Sequence, residues 1–144
     1  AQLKLGTLYE DGRGVPQDVA EAVKWYTLAA EQGLAEIQFQ LGLKYRQSRL
    51  IPQDNANAAK WYQMAAVQGH AAAQNNLGVL YNNGYGVLQD FGTAHMWYNI
   101  SAANGNELAP TNRDDVAKRM TLANLAEAQK RARICVATNY QTCD

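Results

Sequence analysis

An all-α solenoid built from helical hairpins is predicted by three features of this sequence. A set of residues recurs every 36 positions, and the apolar residues within each period fall at helical spacing. The composition, with 24 alanines and three prolines in 144 residues, suits close-packed helices. Trp25-Tyr26, Trp61-Tyr62 and Trp97-Tyr98 mark the period, as do Gly6, Gly42 and Gly78, each followed three residues later by a tyrosine. Asp18, Asp54 and Asp90, then Ala22, Ala58 and Ala94, then Gly33, Gly69 and Gly105 keep the same step.

Each period reads as two helices, over about 1–11 and 19–32, 35–47 and 55–68, and 71–83 and 91–104. In the first half of a unit, Ala73, Leu77, Leu80 and Tyr81 share one face. The glycine on that face has a packing explanation, since a residue without Cβ lets a neighbouring helix approach closely at a cost of about 1 kcal/mol in helix propensity. The second half opens on an aspartate placed as N-cap, and Glu21 stands at capping-box distance from Asp18. Ala22, Trp25-Tyr26 and Ala29-Ala30 form its buried stripe, which predicts that all three tryptophans are core pillars rather than stacking platforms for bases or sugars. Gly33 supplies a left-handed stop.

The linkers Gly12-Arg13-Gly14-Val15-Pro16-Gln17 and Gly84-Tyr85-Gly86-Val87-Leu88-Gln89 match each other. The middle one, Ser48-Arg49-Leu50-Ile51-Pro52-Gln53, lacks both glycines and is expected to take a different path. Beyond Gly105 the repeat fades. A polar helix over 111–119 and a longer one from Leu122 to about Thr138, capped by Thr121, make a C-terminal cap, because a terminal unit must turn a polar face to water.

Thirteen Lys and Arg balance thirteen Asp and Glu, which argues against a basic nucleic-acid binder. No apolar run approaches the roughly 20 residues of a membrane span. Gly12-x-Gly14 and Gly84-x-Gly86 lack the third glycine and the preceding strand of a dinucleotide fingerprint, so they read as turns and no cofactor is expected. His70 and His95 have no ligand-type neighbours at metal spacing, so no metal is expected. Asp114 and Asp115 are adjacent and do not face each other on a helix. No catalytic residues emerge. Cys135 and Cys143 do not fit a redox or zinc pair, and one continuous helix would hold them about 12 Å apart. A disulfide requires the helix to end near Asn139; two free thiols in a cytoplasmic protein are the other reading, and the pair's place in the cap favours the disulfide and an oxidising compartment.

The string Ala-Gln-x-x-Leu-Gly-x-x-Tyr, then Gly-x-Gly-Val-x-x-Asp, then Ala-x-x-Trp-Tyr-x-x-Ala-Ala-x-x-Gly resembles the Sel-one-like repeat (SLR) family, relatives of tetratricopeptide repeats. Residues 1–105 carry the likeness, with the middle linker as the departure, and the segment from Met120 to Cys135 is similar to the tail of exported bacterial members. The resemblance implies a right-handed superhelix acting as an adaptor for proteins or peptides. It also implies a bacterial periplasmic or secreted setting. Alternatives it leaves open are an envelope binder or weak hydrolase of the β-lactam or peptidoglycan type, and a structural segment of a longer solenoid. One domain is expected over 1–144, with repeats at 1–34, 35–70 and 71–106 and the cap at 107–144. The first repeat begins inside a helix, so a longer natural N-terminus is expected.

The resemblance further implies that the first helices line the concave side. On a helical wheel with Leu5 at zero, Leu3, Thr7 and Glu10 fall at about 160°, 200° and 140°, opposite their own core stripe. Stepping by one and two periods adds Phe39, Leu43 and Arg46, then Asn75, Val79 and Asn82. These nine residues are the expected floor of a partner-binding groove.

Overall fold

The computed structural model describes residues 1–143 and contains eight helices, with no strand among those residues. They are α1 Gln2–Asp11, α2 Val19–Ala30, α3 Ala35–Gln47, α4 Asn55–Ala66, α5 Ala71–Asn83, α6 Phe91–Ala103, α7 Ala109–Ala117 and α8 Leu122–Ala137. Successive pairs α1–α2, α3–α4 and α5–α6 are hairpins, and each second helix packs on the first helix of the next unit. The chain is an all-α solenoid. The last residue of the expected cap, Asp144, lies outside the described residues.

Local chemistry explains the boundaries. Asp18, Asp54 and Asp90 are extended N-caps whose carboxylates accept the backbone N–H of Glu21, Asn57 and Thr93 at 3.0–3.1 Å. Glu21 itself turns to Lys24, so the capping box is only half made. Gly33, Gly69 and Gly105 end the second helices with φ near 90°, a conformation that disfavours any side chain. The ends of α2 and α4 are also tied to the next unit. Gln38 and Gln74 are buried and donate to the carbonyls of Ala30 and Ala66, and their own carbonyl oxygens accept from Gln68 and Asn104. These bonds add a second donor to helix-end carbonyls that already accept the N–H of Gly33 and Gly69.

The glycine within each first helix is a notch for a tyrosine. A Cβ on Gly6, Gly42 or Gly78 would lie 2.5–2.7 Å from ring atoms of Tyr26, Tyr62 or Tyr98 of the same hairpin. The three rings are 0–2% exposed. The tryptophans play a different part. Trp61 shares a core cluster with Ala22, Tyr26 and Ala30 of the preceding unit, and Trp97 shares one with Ala58, Tyr62 and Ala65. Trp25 has no earlier second helix to lie against among the described residues and is only half-buried, so it departs from the expected row of three core pillars.

The middle linker takes its own path. Gly12 and Gly84 are left-handed C-caps, whereas Ser48 is extended and its hydroxyl accepts the N–H groups of Leu50 and Ile51. All three linkers nevertheless rejoin at one anchor, the aspartate N–H donating 2.9 Å to the carbonyl of Tyr9, Tyr45 or Tyr81. The serine-based turn therefore replaces the glycine pair without changing where the second helix starts.

The C-terminal segment does not form a fourth hairpin. Both α7 and α8 pack on α6, whose residues from Thr93 to Tyr98 are all buried. Pro110 stands in the first turn of α7, where its missing N–H costs nothing, so this helix starts slightly earlier than its polar stretch suggested. Helix α8 ends at Ala137, Asn139 and Tyr140 are left-handed, and the chain turns back to form the Cys135–Cys143 disulfide with a Cα–Cα distance of 4.5 Å. Both cysteines are buried in the main core cluster, and the Tyr140 hydroxyl accepts from Asn104.

Two outcomes follow from this packing. Gly42→Ala is expected to lower stability by about 1–3 kcal/mol through overpacking against Tyr62, in spite of alanine's better helix propensity. In a Tyr62→Leu background the same change should become neutral or stabilising. Urea denaturation of the four proteins in that cycle decides it, and a stabilised Gly42→Ala single variant would refute the notch. Opening the disulfide by Cys135→Ala with Cys143→Ala is expected to cost about 2–3 kcal/mol, as for the closure of a short loop. Denaturation of that double variant beside the parent measures it, and equal midpoints would show that the bond is not holding the tail.

Candidate first-helix seam and groove

The notches determine what reaches the surface formed by the first helices. Because each tyrosine ring passes its own first helix at the glycine, its hydroxyl arrives between that helix and the first helix of the next unit. In the first seam the Tyr26 hydroxyl donates to Glu10 at 2.5 Å. Lys44 of α3 also donates to the Glu10 carboxylate, and the Ser48 hydroxyl lies 3.3 Å from its other oxygen. Burial pushes the Glu10 carboxyl up, but the hydrogen bonds from Lys44 and Tyr26 outweigh it and hold the group below the usual carboxylate range. Burial likewise pushes the Tyr26 hydroxyl up, with the Glu10 bond acting in the same direction. Ser48 is committed to its turn and Glu10 to its ion pair. This cluster is a structural clasp rather than a nucleophile and its base.

The corresponding position of the second seam carries Arg46 instead of Glu10. Its guanidinium lies over the Tyr85 ring, 5.7 Å from the centroid, and it has no carboxylate partner among the described residues. The buried Tyr62 hydroxyl stands close to Asn76 of α5 yet forms no hydrogen bond of good geometry. Burial raises the Tyr62 hydroxyl's pKa, and that of Tyr98 is pushed up to about 12 for the same reason. At the other end of this seam His70 caps α5 by accepting from the Ala73 N–H and pairs with Glu36 at 2.8 Å. His95 is buried against the cap, and burial with the nearby Arg113 charge lowers its pKa in spite of Asp114. Among the described residues no cluster of three His, Cys, Asp or Glu could hold a metal.

The nine residues expected as a groove floor are placed unevenly. Glu10 is buried in the clasp, Asn75 is buried and accepts from Asn112 of α7 at 3.0 Å, and the Phe39 ring is half-buried 4.7 Å from His70 and 5.8 Å from Tyr62. These three are corrections to the expected floor. Arg46 and Asn82 are half-buried in their seams, Leu43 and Val79 pack partly on the core, and Leu3 and Thr7 are exposed. The physical reason is that a first helix in a stack buries a second face against the next unit, which a single-helix wheel does not show. The open face is rotated by roughly 70° and carries Lys4 and Asp11, Gln40 and Gln47, and Asn76 and Asn83 beside the 7, 43 and 79 column. A cavity of about 470 Å³ lies between α1 and α3, walled by Gln40, Leu43, Gln47, Arg49 and Leu50 over the Glu10–Lys44 pair. Lys44 and Ser48 gave no repeat signal, whereas the constant 20-residue step from glycine to tyrosine was a readable sign of the notch.

The Sel1 repeat family model matches residues 1–34, 35–70 and 71–106. The chain is similar to a Sel1 repeat protein from Oxalobacter formigenes, at 39% identity over 79% of this chain and 86% of that one, with a TM-score of 0.66. It is also similar to c5321, a protective antigen present in uropathogenic Escherichia coli strains that displays an SLR fold, at 27% identity over 96% of this chain but only 38% of that one, with a TM-score of 0.67. No curated protein matches it significantly. Sel1 repeats generally serve protein–protein interaction, and proteins of this fold are typically non-catalytic scaffolds.

The clasp has a pH signature. Because Glu10 is lowered in the folded chain, its contribution is fully present above the unfolded carboxylate value of about 4.3 and is lost as the pH falls through the folded value. Glu10→Gln is therefore expected to destabilise at pH 7 and to flatten the acid limb of the stability profile. Denaturation midpoints between pH 7 and pH 3 test this, and an unchanged acid limb would place the charge of Glu10 outside the fold's energetics. With three repeats matched across 106 of its 144 residues, the chain belongs to the Sel1 repeat family.

Proposed function

We propose that this chain is a binding module for a protein or peptide segment, held on the open face of its first helices, with residues 107–144 closing a single solenoid domain. The observation that carries this reading is the cavity of about 470 Å³ between α1 and α3. It combines apolar anchoring points at Leu43 and Leu50 with amides and a cation at Gln40, Gln47 and Arg49. That mixture suits an extended or helical segment held by a few anchors with its backbone amides satisfied. Leu3, Thr7, Arg46 and Val79 extend the same face to either side.

The disulfide further supports an oxidising setting such as the bacterial periplasm or the exterior. No helix among the described residues is long and apolar enough to cross a membrane. The similar proteins from Oxalobacter formigenes and Escherichia coli favour a bacterial source.

Affinity capture from envelope extracts of a bacterium that makes the protein, with mass spectrometry, supplies the partner. Gln40→Glu with Leu50→Lys, both at exposed positions, should then weaken binding at least tenfold with the helical circular dichroism and melting point nearly unchanged. Full affinity in that variant would exclude this face.

A further inference from the structure

The three seams present an internal experiment. In the first, a tyrosine hydroxyl that has passed through the glycine notch meets a carboxylate, and Tyr26 donates to Glu10 at 2.5 Å. A cation from the next unit, Lys44, completes that carboxylate's shell. In the second seam the same notch delivers the Tyr62 hydroxyl to the same place, 36 residues on, but position 46 is arginine. The hydroxyl is fully buried and, among the described residues, makes no hydrogen bond of good geometry, Asn76 being the amide close to it; a poorly met buried polar group of this kind is costly. The guanidinium beside it rests on Tyr85 without a carboxylate partner among the described residues, and Asn76 adds an amide from the next helix. The second seam therefore keeps the tyrosine donor of the first, has Leu80 and Gly84 where the first has Lys44 and Ser48, and carries a guanidinium in the place of the acceptor.

We propose that the seam between α3 and α5 binds a carboxylate of a peptide ligand, which accepts from Tyr62 and pairs with Arg46 as Glu10 accepts from Tyr26 and pairs with Lys44. The ligand group is an acidic side chain or a chain-terminal carboxylate; both present two acceptor oxygens to a planar guanidinium, the geometry arginine recognises best. Arg46 is the group able to move, since its contact with Tyr85 is on an exposed ring. Its departure from the seam opens the way to the hydroxyl. The first seam cannot serve in this way because its own Glu10 already fills the place. The third cannot either, because Asn82 stands where a cation is needed.

This assignment rests on the peptide-binding reading and narrows it to one chemistry. Titration of the full chain with three short peptides tests it: an acetylated, amidated alanine peptide bearing one central Glu, the same peptide with Gln, and an alanine peptide with a free C-terminus. Shifts of the Arg46 Nε–H and Asn76 side-chain amide in nitrogen-resolved NMR spectra report on the site. Affinity at least fivefold higher for a carboxylate peptide than for the Gln peptide is expected. Preference for the Glu peptide supports a side chain, and preference for the free C-terminus supports a terminus. Arg46→Gln and Tyr62→Phe, which keeps the ring in the Gly42 notch, should each remove the preference. Arg46→Glu should abolish binding and give Tyr62 an internal partner. Tyr26→Phe should leave the preference intact. Equal shifts with the Glu and Gln peptides, or a preference that survives Arg46→Gln, would overturn the proposal. A partner captured on the open face and lost with Gln40→Glu and Leu50→Lys would still stand in that case, so the two readings fail separately.

Discussion

The rest of this structure depends on a contact in which a tyrosine ring occupies the space where a Cβ would be. At Gly6, Gly42 and Gly78 the ring of the partner tyrosine lies within 2.5–2.7 Å of that missing atom. Any other residue would force the two helices of a hairpin apart, and an interior of native density has no slack to absorb such a shift. The close approach fixes the separation within a hairpin and thereby the position of the tryptophan one residue before the tyrosine. Trp61 and Trp97 can then reach back to the alanines of the preceding unit. Small residues at Ala22, Ala30, Ala58 and Ala66, all at 0% exposure, are what make room for them. One steric constraint thus passes from hairpin to stack.

The stack ends by changing the rule rather than by stopping. Helix α7 occupies the side of α6 that a further first helix would take, and α8 crosses back onto α6 instead of pairing with α7. This buries α6 more completely than any other helix, including His95 and Ser101. The Ser101 hydroxyl finds the carbonyl of Ala71 at 2.6 Å, while His95 is left with an unmet Nδ1. A neutral imidazole is the form such a site tolerates, and burial with Arg113 lowers its pKa accordingly. The disulfide then fixes the tail across this junction, where Tyr140 and Cys143 cover core residues of two repeats.

The sequence makes the architecture legible because its structural columns repeat. Period, hairpins, aspartate caps, left-handed glycines and the changed middle linker can all be read from one unit and checked in the next. What escapes is whatever does not recur. Lys44, whose equivalent is Leu80, and Ser48, whose equivalent is Gly84, join Glu10 only because they meet across a seam. The expected floor erred for the same reason. Glu10, Phe39 and Asn75 stand opposite their own helix's core stripe and yet are covered, because the neighbouring first helix buries a second stripe. A wheel drawn for one helix has no coordinate for that neighbour. Trp25 shows the converse: a residue of the repeating pattern loses its burial where no earlier unit covers it.

This division between recurring and non-recurring positions also separates structure from recognition. Positions held constant over three copies are already explained by the notch, the caps and the turns, so they leave little freedom to select a ligand. Positions that change from copy to copy while facing a constant surrounding are where selection can act without disturbing the stack. The column of Glu10, Arg46 and Asn82 is of this kind, for Glu10 bonds to Tyr26 and Arg46 stands beside Tyr62, each ring delivered by the same notch, and Asn82 holds the equivalent position of the third unit. An acid, a base and an amide in turn give three chemically distinct seams on one scaffold. The first is closed by its own salt bridge; among the described residues the second has a buried hydroxyl without a well-formed hydrogen bond beside a guanidinium with no carboxylate partner, and in the third a buried amide oxygen lacks a partner. Repetition supplies the geometry, and its local failure supplies the chemistry.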